Sequence, residues 1–107
     1  MGYSPYFSSK KLAEKLDLDL TAIDFFEINE AFASQAFAVS RDLGLDPEKV
    51  NIYGGGISIG HPIGATGTIL AIKCAYELAE RHPEKQDAMV SMCIGGGQGI
   101  SMYFTKE

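Results

Sequence analysis

Three short segments pair a chemically capable side chain with permissive backbone: Asn29-Glu30-Ala31-Phe32, Gly60-His61-Pro62 within a glycine-rich stretch, and Cys93-Ile94-Gly95-Gly96-Gly97-Gln98-Gly99. Together they supply a carboxamide, an imidazole and a thiol, enough for proton transfer, nucleophile activation and oxyanion binding. The glycines at 54, 55, 56 and 60 let backbone pass close to a ligand, and Pro62 stiffens the exit. His61 is thus displayed just ahead of a helix start. A loop histidine is otherwise a surface or hydrogen-bonded structural residue; the glycine setting favours function. His82, at a helix end before Pro83, keeps the structural reading.

Cys93 closes an apolar strand, where a free cysteine is ordinarily a small buried hydrophobe. The run Gly95-Gly96-Gly97 adds an alternative, because successive backbone N–H groups in a glycine turn form a concave anion site. Such a site stabilises a thiolate or binds a developing oxyanion. Cys74 lies inside an apolar helix and reads as core. Asn29 has an ordinary role as a helix cap, compatible with holding a water at the carboxyl end of a strand, where open α/β sheets place ligands. Phe32 reads most simply as core. The glycine runs suggest a phosphate cradle only weakly, since neither G-x-x-x-x-G-K-[ST] nor the G-x-G-x-x-G order with its later acid is present.

The elements that must position these groups follow from spacing. Ser8 or Ser9 is expected to cap a helix carrying Leu12, Ala13 and Leu16, ended near Asp17 to Asp19. Ile23 to Ile28 reads as a buried strand, followed by a helix capped by Asn29, with Phe32, Ala36, Val39 and Leu43 on one stripe and Gly44 closing it. Val50 to Tyr53 is expected as a strand, then a loop over 54–67 and a helix through Arg81, stopped by Pro83. Ala88 to Cys93 and Ile100 to Thr105 read as the last two strands. The alternation predicts an α/β fold with parallel strands ending in an antiparallel pair. One helix is unusual: Ile69, Leu70, Ile72, Cys74, Ala75, Leu78 and Ala79 cover most of its circumference. A helix apolar all round requires burial on every side, hence more protein than this chain provides.

Composition narrows the function classes. The 107 residues, 46% hydrophobic and 21% charged, suit one domain spanning residues 1–107. A formal charge of −5 with scattered basic residues leaves no footprint for nucleic acid or an anionic membrane. No apolar run approaches the ~20 residues that span a bilayer, and the first residues lack an apolar signal core. Two cysteines, Cys74 and Cys93, make no disulfide framework and have no metal-ligand spacing. A soluble protein of the reducing cytoplasm is the expectation.

Taken in order, the three motifs resemble the C-terminal half of the thiolases, which make or break a carbon–carbon bond between acyl groups carried on coenzyme A. The similarity runs from Met1-Gly2 to about Phe104. The NEAFA segment separates the chain from relatives with a histidine at the Asn29 position, and GHP followed by C-x-GGG-x-G is unlike the two-histidine pattern of ketoacyl synthases. Tyr53 departs from the asparagine common there, which leaves local hydrogen bonding and pocket width unspecified by the resemblance. The resemblance implies a thiolase-like α/β half built on a βαβαβαββ plan, with its first strand missing. It places that strand mid-sheet, so an open gap is expected in the sheet of this chain. A truncated frame, a fragment and one part of a split enzyme all fit.

Carried over residue by residue, the resemblance implies that Asn29 holds an oxyanion-hole water and that His61 activates the nucleophile. It makes Cys93 the acid/base that exchanges the substrate proton, and gives the Gly95 N–H to a second oxyanion hole. Met1 and Phe32 would line the pantetheine tunnel. No cofactor is implied, since the coenzyme A thioesters are substrates. The nucleophilic cysteine belongs to the family's N-terminal half and lies outside this chain. The implied partners are an acyl-CoA, an N-terminal thiolase half or a full-length thiolase subunit, and like copies in a homo-oligomeric complete enzyme of fatty acid metabolism. Two other readings stand beside acyl transfer: an inactive pantetheine-binding or interaction module docked on a thiolase, and a nucleotide-binding fragment.

Overall fold

The structure, a computed structural model, describes all residues 1–107. The regular elements are α1 (Ser4–Leu16), β1 (Phe25–Ile28), α2 (Ala33–Asp42), a single turn α3 (Gly56–Ile59), α4 (Thr66–Tyr76), β2 (Asp87–Cys93) and β3 (Gly99–Thr105). A wide helical turn, Glu77–Arg81, prolongs α4. The sheet order is β1-β2-β3. β1 and β2 run parallel with Phe25 opposite Ala88 and Ile28 opposite Ser91, and β2 turns back antiparallel onto β3 with Cys93 opposite Gly99. Parallel strands ending in an antiparallel pair are therefore present as the alternation predicts.

Strand alternation divides the interior. Phe26 and Ile28 join Ile23, Val39, Leu43, Leu45 and Met89 in one cluster, while Phe25 joins Leu70, Cys74, Leu78, Ala88 and Val90 in another on the α4 side. α1 is tied to the sheet by serines: Ser9 Oγ lies 2.7 Å from Ser91 Oγ, and Ser8 Oγ lies 2.7 Å from Ser101 Oγ.

Four expectations are corrected. α1 begins at Ser4 rather than at a Ser8 or Ser9 cap, because Pro5 occupies its first turn, a position that suits a missing N–H and a fixed φ. Asn29 does not cap α2. Its own N–H continues the ladder to Ser91 O at 2.9 Å, and Phe32, in extended backbone, is the residue that precedes the helix. The Gln35 side chain supplies the cap instead, accepting from Phe32 N–H at 3.1 Å and donating to Asn29 O at 3.1 Å.

The strand expected at Val50–Tyr53 is reduced to a single bridge between Phe26 and Val50. Asn51 turns away with φ 49°, and its side chain replaces the missing ladder: Oδ1 accepts from Ile28 N–H at 2.9 Å and Nδ2 donates to Ile28 O at 2.8 Å. A mid-sheet gap is likewise absent, since β1 and β2 are hydrogen-bonded neighbours. β3 pairs on one side only, so the open backbone edge is at the margin of the sheet.

α4 has the character its composition implies. Leu70, Cys74 and Leu78 are buried, yet Ile72 and Tyr76 are half exposed. Beside it, Ile100 and Met102 of β3 are also half exposed. Leaving roughly a few hundred Å² of apolar surface uncovered loses several kcal/mol at ~25 cal/mol per Å², against the ~5–15 kcal/mol stability of a typical domain. The isolated chain is accordingly expected to self-associate or to stay loosely packed. Hydrogen exchange at Cys74 and Leu78 checks this; strong protection in a dilute, demonstrably monomeric sample would show that the chain closes its own core. The same measurement tests Asn51. With one hydrogen bond contributing ~0.5–1.5 kcal/mol, Asn51→Ala is expected to speed exchange of the Ile28 amide roughly tenfold, and an unchanged rate would refute the ladder role of this side chain.

Candidate active site

Parallel pairing brings the carboxyl ends of β1 and β2 out at one edge of the sheet, so Asn29 and Cys93 leave the two strands side by side. The third motif arrives by the loop 54–65. This loop runs so close to β1 that a side chain at Gly56 would meet the Glu30 carbonyl at 3.0 Å and the Asn29 Oδ1 at 3.5 Å. Glu30 holds the following turn, its carboxylate accepting from Ile57 N–H at 3.3 Å.

His61 sits in a directional chain of hydrogen bonds. Thr66 Oγ1 donates to Pro62 O at 3.0 Å, so its oxygen is left to accept from His61 Nδ1–H at 2.6 Å. The proton of the neutral ring is thereby on Nδ1, and Nε2 carries a lone pair. That nitrogen faces Asn29 Nδ2 at 3.4 Å, the polarity an amide N–H donor requires. Asn29 is buried and its Oδ1 has no hydrogen-bond partner within the chain, which leaves a carboxamide acceptor at the site's floor. His61 Nε2 can thus accept a proton or, once protonated, donate to an oxyanion.

Cys93 lies at the end of β2, buried, beside the hairpin loop closed by Ile94 N–H to Gln98 O at 3.0 Å. Gly95 adopts φ 100°, a left-handed conformation that favours glycine. The N–H groups of Gly95, Gly96 and Gly97 donate to no other group of the chain. A cavity of about 560 Å³ is lined by Met1, Phe32, His61, Cys93 and Gly95, together with Ile63 and Met92. The structure therefore brings all six residues singled out from the sequence to one place, five on the cavity wall and Asn29 behind His61. Phe32 is more than half exposed there, so its reading as a core residue on the α2 stripe is corrected.

Thr66 was missed by sequence reasoning, though a hydroxyl one turn beyond a Gly-His-Pro exit was available as a signal. Tyr53 does not narrow the cavity: its ring lies 4.4 Å from the Arg81 guanidinium and its hydroxyl 3.4 Å from His82 Nδ1, on the far side of the loop. His82 itself pairs with buried Glu77 at 2.5 Å, a structural contact. No three His, Cys, Asp or Glu side chains group in a way that could hold a metal ion. No helix is long and apolar enough to cross a membrane.

The thiolase C-terminal domain family matches residues 1–106, and the chain belongs to that family. It is 49% identical over 106 residues to the beta-ketothiolase BktB of Cupriavidus necator, covering 99% of this chain and 26% of the relative. It is 46% identical over 104 residues to the 3-ketoacyl-CoA thiolase of Bacillus subtilis, covering 97% of this chain and 26% of that protein. The fold is that of the thiolases. The crystal structure of the Bacillus anthracis acetyl-CoA acetyltransferase superposes with TM-score 0.89 at 41% identity, covering 95% of this chain and 25% of that one. The peroxisomal 3-ketoacyl-CoA thiolase of Saccharomyces cerevisiae gives 0.90 at 43%, covering 99% of this chain and 30% of that one. The latter is described as five layers, α-β-α-β-α, made from two core domains of identical topology. The chain spans about a quarter of the length of the curated relatives it matches.

The two thiols differ in a way that alkylation reads directly. Burial, with Glu27 nearby, pushes the Cys74 thiol up to about 12, and the residue has no exposed surface. Cys93 borders the open cavity. Brief treatment with iodoacetamide at pH 8 under native conditions is expected to label one thiol per chain, at Cys93; preferential labelling at Cys74 would contradict the placement of α4.

Proposed function

We propose that this chain supplies the proton-transfer and oxyanion-binding half of an acyl-CoA C-acyltransferase acting on acetyl-CoA and acetoacetyl-CoA or longer 3-ketoacyl-CoA. The observation that carries the reading is the single cavity shared by His61, Cys93 and Gly95, with the lone pair of His61 Nε2 held ready by Thr66. In this mechanism His61 Nε2 takes the proton of a cysteine thiol furnished by the companion half. The resulting thiolate attacks the thioester carbon of an acyl-CoA, and the coenzyme A thiolate leaves with the proton of the Cys93 thiol, while His61 keeps the proton it took. A second acetyl-CoA then binds, and the Cys93 thiolate so formed removes a proton from its α-carbon. The carbanion attacks the acyl-enzyme to release the ketoacyl product, and the expelled cysteine thiolate regains its proton from His61. Thiolysis runs the same steps backwards.

Each residue then has a distinct task. Asn29 and a water hold the enolate oxygen together with His61, and the Gly95 N–H binds the tetrahedral oxyanion. Met1 and Phe32 give the apolar contact that the pantetheine arm requires. The acidic surface of this chain makes the companion half the natural place for the coenzyme A phosphates. Cys93 is assigned as base rather than nucleophile, so the chain alone is expected to be inactive. A reducing cytoplasmic setting keeps both thiols free, and a homo-oligomeric enzyme of fatty acid metabolism is the context of this reading. The alternative, an inactive module docked on a thiolase, draws on the uncovered apolar face of α4 and β3.

Complementation with an N-terminal thiolase half separates the two. Recovered cleavage of acetoacetyl-CoA supports the enzyme, and tight docking without turnover supports the module. In the active complex, Cys93→Ser is expected to abolish most turnover while still allowing acylation of the companion's cysteine. His61→Ala should slow that acylation itself by ~10²–10⁴-fold, the contribution of one positioned acid or base. Near-normal rates in both variants would remove the basis for these roles. Stoichiometric, hydrolysable acetylation of Cys93 by acetyl-CoA in the isolated chain would make it a nucleophile instead.

A further inference from the structure

Behind the loop that carries His61 lies a buried charge pair that the chemistry above leaves unused. Glu27 is two residues before Asn29 on the same face of β1 and has no exposed surface. Its carboxylate pairs with the Lys73 ammonium, which reaches across from α4 and is itself only 18% exposed. Glu27 Oε2 has no hydrogen-bond partner within the chain. Burial raises the pKa of this carboxyl, and Lys73 opposes the rise. Neutral residues of similar volume often replace such a pair with no loss of stability. Core packing therefore gives no reason for a charge here.

The second contact of Lys73 supplies one. Its Nζ donates to the Gly54 carbonyl at 2.8 Å, at the start of the loop whose far end is His61. Gly55 and Gly56 then run against Glu30 and Asn29: a Cβ at Gly55 would displace the end of the Glu30 side chain, and one at Gly56 would press on the Glu30 carbonyl at 3.0 Å. Two residues on one face of β1 hold the two ends of this loop: Glu27 the entry through Lys73, and Asn29 the exit through its contact with His61 Nε2. Between them the backbone makes short-range bonds, such as Gly54 N–H to Asn51 O and Gly60 N–H to Gly56 O, each at 2.9 Å, and one longer-range bond, the 3.3 Å contact from Ile57 N–H to the Glu30 carboxylate.

We propose that Lys73, anchored by Glu27, is a positioning residue that clamps the Gly54 carbonyl and so fixes where the loop presents His61 against Asn29. The inference rests on the role of His61 given under Proposed function. A reacting group misplaced by ~1 Å loses about 10²-fold in rate, so a tether at the other end of a glycine-rich loop has a measurable effect on chemistry without touching substrate.

The test uses the chain complemented by an N-terminal thiolase half. The double substitution Glu27→Gln with Lys73→Met replaces the pair by neutral groups of similar size. It is expected to keep the melting temperature within a few degrees. It should lower kcat for acetoacetyl-CoA thiolysis roughly ten- to a hundredfold, leave KM within about twofold, and speed amide exchange over residues 54–60. Glu27→Gln alone keeps the donor to Gly54 but loosens its anchor, and should give a smaller fall in kcat with the same KM. A folded double variant with unchanged kcat and unchanged loop exchange would make the pair purely structural and overturn the proposal. If the double variant does not fold, Glu27→Gln decides by the same two readouts. If the unsubstituted complex shows no turnover, the thiolase reading fails, and exchange over 54–60 still judges the tether independently.

Discussion

The parallel pairing of β1 with β2 is the constraint on which the rest depends. Because both strands point the same way, Ile28 stands opposite Ser91 and the next residues of each chain segment emerge at one edge. An antiparallel pairing would send Asn29 and Cys93 to opposite ends of the sheet. Given the parallel arrangement, the loop from Gly54 needs only to fold over that edge, and it does so by close contact with Asn29 and Glu30. The imidazole then arrives last, held by Thr66 at one ring nitrogen and met by Asn29 at the other.

Much of this is legible in the sequence for a physical reason. Glycine and proline punctuate the chain where backbone must turn or approach closely, and apolar runs mark the strands, so Phe25–Ile28, Asp87–Cys93 and Gly99–Thr105 emerge nearly as expected. The three motifs stand beside such punctuation and are found with it. What escapes is the use of polar side chains over long range. Ser8 and Ser9 look like helix caps locally, yet bond to Ser101 and Ser91, more than eighty residues away. Asn51 reads as part of a strand, whereas its amide imitates the ladder while its backbone leaves it. Lys73 resembles an ordinary solvated position on an apolar helix until Glu27 and Gly54 are placed beside it.

The mid-sheet gap failed for a different reason. That expectation follows from the family resemblance and not from residues, whereas the pairing of Phe25 with Ala88 and Val90 with Met102 leaves no room for a strand on either side of β2. The open margin of β3 and the half-exposed Ile72, Tyr76, Ile100 and Met102 are neighbouring parts of one uncovered side. In a relative built as five layers from two core domains, two three-layer halves must share their middle layer of helices. α4 is alone on its face of the sheet, and that composition suits a shared layer.

The serine contacts of α1 also set an order of events in synthesis. Ser4 Oγ lies 2.8 Å from Gln98 O and Ser9 Oγ 2.7 Å from Ser91 Oγ, contacts that span 94 and 82 residues. Within this segment α1 therefore has no sheet to dock on until the β2–β3 hairpin has been made. Closing loops of that length precedes any reward from the contacts they bring, so the α1 face stays available to chaperones through nearly the whole of translation of this segment.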